Sequence, residues 1–168
     1  MTVVSDSSPL VILTKLGCFD LLNRLFSRVY ISAEVHDEVV VVGTGLPGAA
    51  EVSNAKWIEV KQLQNPASLL AAQQKQALGL GEISTILLAK ELGANPVLLD
   101  DYKARMFAKA EGLQILGSVG LLEAFYARVS TRKTSGKADC GAAVQRGSRT
   151  ETARKLSEQG LTSFVWSR

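Results

Sequence analysis

The sequence predicts an α/β protein with three layers, α/β/α, and a mostly parallel central sheet of four or five strands. Short apolar runs rich in Val, Ile and Leu recur along the first 130 residues, and helical stretches separate them. Most of these runs are almost continuously hydrophobic, which is typical of strands that are covered on both faces. Regular alternation of strand and helix is the pattern that builds a parallel sheet.

Five short segments are predicted strands, because they are rich in β-branched and apolar residues and are bounded by Ser, Asp, Gly or Pro. In chain order these segments are residues 2–5, 29–31, 56–63, 96–99 and 113–116. The third alternates apolar and polar residues and is therefore expected at an edge of the sheet.

The predicted helices fill the intervals between these strands, where apolar residues recur at helical spacing. They are expected at residues 10–26 with a break at Gly17, and at 33–42, 49–54, 66–78, 82–92, 102–111 and 119–129. Ser32 is a good N-cap for the helix at 33–42. Gly93 and Gly112 follow two of the other helices, where glycine is the preferred terminating residue.

Charge is divided unevenly along the chain. Residues 1–127 contain 10 Lys and Arg against 13 Asp and Glu, whereas residues 128–168 contain 9 against 3. The helical pattern ends near residue 129, and Ser, Thr, Gly, Lys and Arg then dominate. We predict one domain over residues 1–129 and a basic, polar C-terminal extension over residues 130–168. The extension is either disordered or able to follow a phosphate backbone.

The chain carries no signal for a membrane or for secretion. No apolar run approaches the roughly 20 residues that span a bilayer. The N-terminal residues lack the basic segment of a secretory signal and reach Asp6 almost at once. We therefore expect a cytoplasmic protein with no membrane partner.

Acidic side chains stand where predicted strands end. Asp6 follows the first strand, and Asp100 and Asp101 follow the fourth. Because the carboxyl ends of parallel strands meet at one edge of a sheet, these side chains are expected at the same rim. Glu82 begins a helix whose start points toward that rim, and Glu38 lies in the helix after the second strand.

Each of these acids also has an ordinary structural explanation. Asp6 or Asp101 can cap the following helix, Glu82 can complement a helix dipole, and Glu38 can belong to a solvated face. Gathered in one place, however, carboxylates repel one another and favour a cation between them. Oxygen ligands without His or Cys suit Mg²⁺ or Mn²⁺, and such an ion can activate water against a phosphodiester.

Four segments in this order resemble the PIN-domain family. They are Val-Ser-Asp-Ser-Ser-Pro-Leu at 4–10, Val-Tyr-Ile-Ser at 29–32 leading to Asp-Glu-Val-Val at 37–40, Gly-Leu-Gly-Glu at 79–82, and Leu-Leu-Asp-Asp-Tyr-Lys-Ala-Arg at 98–105. The sequence is most similar to a prokaryotic PIN-like branch that includes the toxin nucleases of toxin–antitoxin pairs. The resemblance covers about residues 2–127.

The resemblance implies a function and a set of site residues. The implied activity is that of a metal-dependent endoribonuclease that cleaves single-stranded or structured RNA as the toxin of a toxin–antitoxin pair, with an antitoxin partner and a homodimeric state. By the same resemblance the catalytic residues are Asp6, Glu38, Glu82 and Asp101, the metal ligands are Asp6, Glu82, Asp101 and Asp100, and Ser8 and Arg105 are supporting residues.

Three other functions remain open from the sequence. A catalytically weak or inactive PIN-like domain would bind RNA or a protein without cutting it. Residues 43–48 fit the Gly-x-Gly-x-x-Gly pattern of dinucleotide-binding proteins, which requires a strand immediately before them. A phosphoryl-receiver domain also groups Asp residues at strand ends, but Ser7 and Ser8 stand where it would carry a second acid.

Overall fold

The computed structural model describes the backbone of residues 2–131 and the side chains of residues 2–125. The chain divides into two compact units, residues 1–125 and 126–168, and the described side chains belong to the first. The predicted extension at 130–168 lies almost wholly outside the described residues, so the extension and its boundary stay predictions. Within the described part, no helix is both long enough and apolar enough to cross a membrane.

Five parallel strands form a single sheet in the order β3-β2-β1-β4-β5. They are β1 Thr2–Ser5, β2 Arg28–Ser32, β3 Ile58–Lys61, β4 Val97–Leu98 and β5 Ile115–Leu116. All five were predicted from the sequence, and β3 does lie at an edge. Strands β4 and β5 are shorter than expected, because in each of them only two residues form ladder pairs with a neighbouring strand.

Eight helices connect and follow these strands in the described region. They are α1 Ser7–Lys15, α2 Leu21–Leu25, α3 Ala33–His36, which continues as a π-helical segment over Asp37–Val42, then α4 Ala49–Asn54, α5 Pro66–Lys75, α6 Leu80–Leu92, α7 Tyr102–Ala110 and α8 Ser118–Thr131. The break predicted at Gly17 is present, with Gly17 at a positive φ of 66°. Helix α6 begins two residues earlier than expected, so Gly81 and Glu82 lie in its first turn.

The centre of the sheet is buried, as its composition predicts, whereas the edge strands β3 and β5 are only half-buried. Val4 of β1 and Val97 of β4 pair in register and are completely buried. They pack with Ile83 and Ile86 of α6 and with Ala104 of α7 in one apolar cluster. Alternate strand residues point to the opposite face, so both faces of the sheet need helical cover. The predicted three-layer α/β/α architecture is confirmed.

The strand order reverses at β1. From β1 the chain moves to β2 on one side of the sheet, and it later returns to place β4 on the other side. In open parallel sheets, ligands bind at the carboxyl ends of the strands where the order reverses in this way. The residues that follow β1, β2 and β4 therefore lie together at the carboxyl ends of neighbouring parallel strands, where a binding site is expected.

The helix after β2 changes from an α-helix to a π-helix at Asp37. Ser32 caps α3 by accepting a hydrogen bond from the backbone N–H of Val35, as predicted. From Asp37 the helix is π-helical, and the N–H of Gly43 donates to the carbonyl of Glu38 at 3.0 Å. Short π-helical turns occur frequently at functional sites. Here the wider turn sets the position of Glu38.

The π-helical segment also overturns the dinucleotide-binding hypothesis. That site requires a strand before the glycines, but residues 39–42 are helical and pair with no strand. The loop that follows is held by Thr44, whose hydroxyl donates to the carbonyls of Val40 and Val41 at 2.8 Å. The glycine-rich segment is therefore a connector between two helices.

Replacing Gly43 by Ala should destabilise the fold through the π-helical segment. A Cβ at this buried position would lie 2.3 Å from the backbone oxygen of Val39, so the backbone itself must shift. We expect a loss of more than about 2 kcal/mol in the free energy of unfolding, measured by urea denaturation. Gly45→Ala is the control, because a Cβ there meets nothing and only the positive φ of 81° opposes it, at about 1 kcal/mol. Equal losses in the two variants would contradict this account.

Candidate active site

Asp6 lies at the centre of the carboxyl edge of the sheet. It follows β1 directly, and its backbone N–H donates to the carbonyl of Leu98 in β4 at 3.0 Å. Its side chain is 1% exposed, and Oδ1 has no hydrogen-bond partner among the described residues. A buried carboxylate oxygen without a partner is rare, since it loses its hydration without replacement. This oxygen is therefore the first indication of a ligand.

Burial raises the pKa of the Asp6 carboxyl from 3.8 to about 7. That pKa already includes smaller upward contributions from the nearby carboxylates of Glu38 and Glu82, and opposing downward contributions from the backbone N–H groups of Ser7 and Ser8. Loss of hydration and like charges both disfavour the ionised form. A cation placed among these groups would oppose both effects, so the electrostatics of the site favour a bound positive charge.

Glu38 faces Asp6 across Gly81. A Cβ built on Gly81 would lie 2.7 Å from Oε2 of Glu38 and 3.4 Å from Oδ1 of Asp6, so both oxygens border the space that glycine leaves open. The other Glu38 oxygen, Oε1, accepts a hydrogen bond from the hydroxyl of Ser7 at 3.1 Å. Ser7 therefore orients Glu38 so that its second oxygen turns toward Asp6.

Glu82 completes this side of the cluster from the first turn of α6. Its Oε2 accepts a hydrogen bond from the backbone N–H of Gly79 at 2.8 Å and so caps its own helix. Burial raises the pKa of the Glu82 carboxyl, as do the charges of Asp101 and Glu38. The side chain therefore has two roles, since it holds the helix start and adds negative charge to the site.

Asp101 lies on the far side of Glu82. It is the N-cap of α7, and its Oδ1 accepts a hydrogen bond from the backbone N–H of Ala104 at 2.9 Å. Asp101 is exposed and lies near enough to Glu82 to raise the pKa of that carboxyl. The fourth predicted acid is thus present at the rim, and one of its oxygens serves the helix cap.

Asp100 is turned away from this cluster. Both of its oxygens accept hydrogen bonds from Ser118, one from the backbone N–H at 2.8 Å and one from the hydroxyl at 2.5 Å. Burial raises the pKa of Asp100, while Ser118 and the neighbouring Arg105 lower it. Ser118 thus already engages both oxygens of Asp100, and the role of Asp100 as a metal ligand stays a prediction. Asp100 instead ties the end of β4 to the start of α8.

The two predicted supporting residues occupy different places. The backbone N–H of Ser8 donates a hydrogen bond to the Asp6 carboxylate, and this contact partly offsets the rise in the pKa of that carboxyl. Arg105 is partly buried and lies beside Asp100, whose charge it complements. Ser8 thus belongs to the cluster, whereas Arg105 supports the neighbouring junction of β4 and α8.

A buried pair of hydroxyls fixes α6 beneath the site. The Ser32 and Ser84 oxygens lie 2.7 Å apart, and the Ser84 hydroxyl also contacts the carbonyl of Gly81 at 2.9 Å. Both serines are completely buried. Because Ser32 ends β2 and Ser84 lies in α6, this contact holds the first turn of α6, including Gly81, against the strand edge.

The residues fit a hard divalent cation in kind, although the side chains are not closed around one. Throughout the described region, no group of three or more His, Cys, Asp or Glu side chains is arranged so that it can hold a metal ion. The fit rests on the unpartnered Asp6 oxygen, on the space above Gly81, and on a donor set made of carboxylate oxygens alone. Such oxygens are the ligands that Mg²⁺ and Mn²⁺ prefer.

Sequence reasoning missed three residues of this site. Ser7 orients Glu38, Gly81 provides the space between Glu38 and Asp6, and Ser118 engages Asp100. Ser7 follows Asp6 and Gly81 precedes Glu82 in the sequence. This adjacency to predicted acids is the one sequence feature that could have identified them as site residues. Ser118 gives no such signal, because its partner is 18 residues away.

A parallel α/β sheet with carboxylates at its switch point occurs in several classes of protein, so the fold alone does not decide the family. The model of the PIN domain family matches residues 2–132. The chain therefore belongs to the PIN-domain family. PIN domains are usually nucleases, and they generally use divalent metal ions.

A solved structure supports the same fold. A PilT N-terminus domain protein from the hyperthermophilic archaeon Sulfolobus solfataricus P2 is similar to this chain, with a TM-score of 0.53 and 17% sequence identity. The match covers 82% of this chain and 99% of that protein. At this identity the likeness concerns the fold alone. No curated protein matches the sequence.

Gly81→Ala should weaken metal binding while leaving the fold intact. The new Cβ would lie 2.7 Å from the end of the Glu38 side chain, which can move away and lose its place opposite Asp6. We expect about tenfold or greater weakening of Mn²⁺ binding in calorimetry, with little change in melting temperature. Gly79→Ala is the matched control, because its Cβ would make only an ordinary 3.6 Å contact with Glu82. Equal Mn²⁺ affinities in the two variants would refute the proposed geometry.

Without metal, Asp6 should make the protein less stable as the pH rises. The folded state holds the Asp6 proton more tightly than the unfolded state, because its pKa is about 7 rather than 3.8. The penalty is absent below pH 3.8, grows as pH rises toward 7 and is complete above it. Relative to Asp6→Asn, the wild type should lose about 2–3 kcal/mol of stability between pH 5 and pH 8.

Urea denaturation in EDTA at the two pH values measures this difference. Asp20→Asn is a suitable control, since Asp20 is exposed and lies before β2, at the opposite edge of the sheet from Asp6. The control should follow the wild-type pH dependence. Parallel pH curves for wild type and Asp6→Asn would show that burial does not raise this pKa.

Proposed function

We propose that the protein is a metal-dependent endoribonuclease that cleaves single-stranded or structured RNA and uses Mg²⁺ or Mn²⁺. The observation that carries the proposal is the buried, unpartnered Oδ1 of Asp6, which borders the same open space as Oε2 of Glu38. This pairing places negative charge where burial opposes it, and a divalent cation is the natural counter-charge.

In this proposal Asp6, Glu38, Glu82 and Asp101 hold the metal. When bound, the ion supplies Lewis-acid stabilisation of the phosphodiester and lowers the pKa of a water molecule. Asp6 provides the most fixed ligand, since its backbone is anchored to β4 and its side chain is buried. Glu38 is held in orientation by the Ser7 hydroxyl, so its free oxygen needs little rearrangement to act.

Glu82 and Asp101 form the more exposed part of the proposed metal site. Each uses one carboxylate oxygen to cap its own helix, which leaves the other oxygen for the site. Both helix starts then face the cluster, so their backbone dipoles favour the negative charge of an RNA phosphate nearby. The expected products, by analogy with the family, are a 5′-phosphate and a 3′-hydroxyl.

The biological setting is part of the same proposal. We place the protein as the toxin of a toxin–antitoxin pair, with an antitoxin protein as partner and a homodimer as the working state. The basic extension at residues 130–168 would add affinity for the RNA backbone. These features derive from the likeness of the four sequence segments to the toxin branch of the family.

Cleavage of labelled RNA tests the proposal directly. We expect wild type to cut single-stranded RNA in Mn²⁺ or Mg²⁺ and to lose cleavage in EDTA. Asp6→Asn and Asp101→Asn should each lower the rate by about 100-fold or more, because each removes a charged ligand. Asp20→Asn makes the same charge change at an exposed residue before the start of β2, away from the carboxyl ends of the strands. This variant should retain the wild-type rate.

The outcomes separate this function from the alternatives. Cleavage that persists in Asp6→Asn and Asp101→Asn would indicate a contaminating nuclease. Tight, metal-independent RNA binding without cleavage, across a panel of single-stranded and structured RNAs, would overturn the enzyme assignment and favour a binding module. Co-purification with the product of a neighbouring gene tests the antitoxin partner, and the mass of the purified protein in solution tests the dimer.

A further inference from the structure

The outward face of α7 exposes two large apolar side chains directly beside the candidate site. Tyr102 is 64% exposed and Met106 is 49% exposed. They are four residues apart, so they are neighbours on one helical face. The opposite face carries Ala104 and Ala108, which are completely buried against the domain core. Within the described unit, this face is solvent-exposed.

The charge of α7 is entirely positive. The helix contains Lys103, Arg105 and Lys109 and no acidic residue. Glu111, which follows the helix, is already paired with Lys90. By contrast, residues 1–127 as a whole carry more acidic than basic residues. A basic helix in an acidic domain is the kind of local charge that attracts a phosphate backbone.

The start of α7 is continuous with the carboxylate cluster. Asp101, a proposed metal ligand, is the N-cap of the helix, and Tyr102 is its first residue. Lys103 lies close enough to Glu82 to lower the pKa of that carboxyl. An RNA strand whose phosphate sits at the cluster would therefore pass next to Tyr102 and continue along the helix.

We propose that the exposed face of α7 binds the RNA strand next to the bond that is cut, with a base stacked on Tyr102 and phosphates contacting Lys103 and Lys109. The inference rests on the proposed ribonuclease function and names the part of the molecule that receives the substrate. Stacking on aromatic rings combined with phosphate contacts from lysine is the usual way of holding single-stranded nucleic acid.

RNA fits this face better than a protein partner does. Interfaces between proteins are depleted in Lys, whereas α7 carries two lysines, Lys103 and Lys109, after its exposed aromatic residue. A nucleotide offers a flat base and a charged phosphate. The tyrosine ring can stack on the base, and the neighbouring cations can contact the phosphate. The face is therefore assigned to the substrate, and a protein partner becomes an outcome of the test.

Binding of a fluorescent single-stranded RNA in EDTA tests this assignment without requiring cleavage. Tyr102→Ala should weaken RNA binding by about tenfold, the effect expected when one stacked base is lost. Tyr102→Phe should bind like wild type, because the ring remains. Leu70→Ala is the matched control, since Leu70 is an exposed apolar residue on α5. Inorganic polyphosphate, which has charge and no bases, should bind Tyr102→Ala and wild type equally.

The salt dependence of binding tests the lysines separately. Lys109→Gln should reduce the slope of log affinity against log salt by about 0.7, the value for one phosphate contact on a single strand. Lys75→Gln, a neutralised exposed lysine at the end of α5, should leave the slope unchanged. Lys103 is left intact in this series because it neighbours Glu82.

The results decide between three situations. Weaker RNA binding by Tyr102→Ala and Lys109→Gln, with wild-type melting temperatures, supports the assignment even if no cleavage is found. Unchanged RNA binding in both variants overturns it, whether or not the protein cuts RNA. Loss of dimer or antitoxin binding in Tyr102→Ala, with unchanged RNA affinity, also overturns it and gives the face to a protein.

Discussion

The burial of Asp6 is the constraint on which the rest of the site depends. A carboxylate at the centre of a parallel sheet loses its hydration, and its pKa rises to about 7 as a result. The protein keeps the group in place through the backbone, since the N–H of Asp6 is bonded to β4. One side-chain oxygen nevertheless stays without a partner. Such an arrangement is unfavourable by itself and would become favourable with a cation bound, so in the proposed function some stability is given up for metal binding.

The surrounding contacts hold the other acids without neutralising them. Ser7 takes one oxygen of Glu38, Gly79 takes one oxygen of Glu82, and Ala104 takes one of Asp101. In each case the partner is an uncharged donor, so the carboxylate is oriented and its second oxygen is left for the site. Asp100 differs, because Ser118 takes both of its oxygens. The acids of the proposed site each have one carboxylate oxygen held by a protein hydrogen bond, whereas Asp100 has both of its oxygens held.

The same edge of the sheet presents opposite charges a few residues apart. The cluster gathers negative charge at the carboxyl ends of the strands, while α7 carries only positive charge. In the proposed function a bound metal ion would link the two regions, because it would make the cluster attractive to a phosphate that α7 also attracts. In the proposed function the carboxylate cluster carries out the cleavage, and α7 binds the RNA strand next to the cleaved bond and so sets its path. The PIN-domain fold accounts for the first part, and the second depends on residues particular to this chain.

The sequence by itself determined the fold and the rim at which the acids meet. Strand and helix periods are local properties, and parallel strands bring their ends to one edge, so the placement of Asp6 and Asp101 followed without coordinates. Tertiary structure decided which oxygens are free. The π-helical segment that carries Glu38, the space above Gly81 and the capture of Asp100 all depend on contacts between distant parts of the chain. Hydrogen-bond partners 18 to 31 residues apart leave no periodic signal, because side-chain orientation is set by packing in three dimensions.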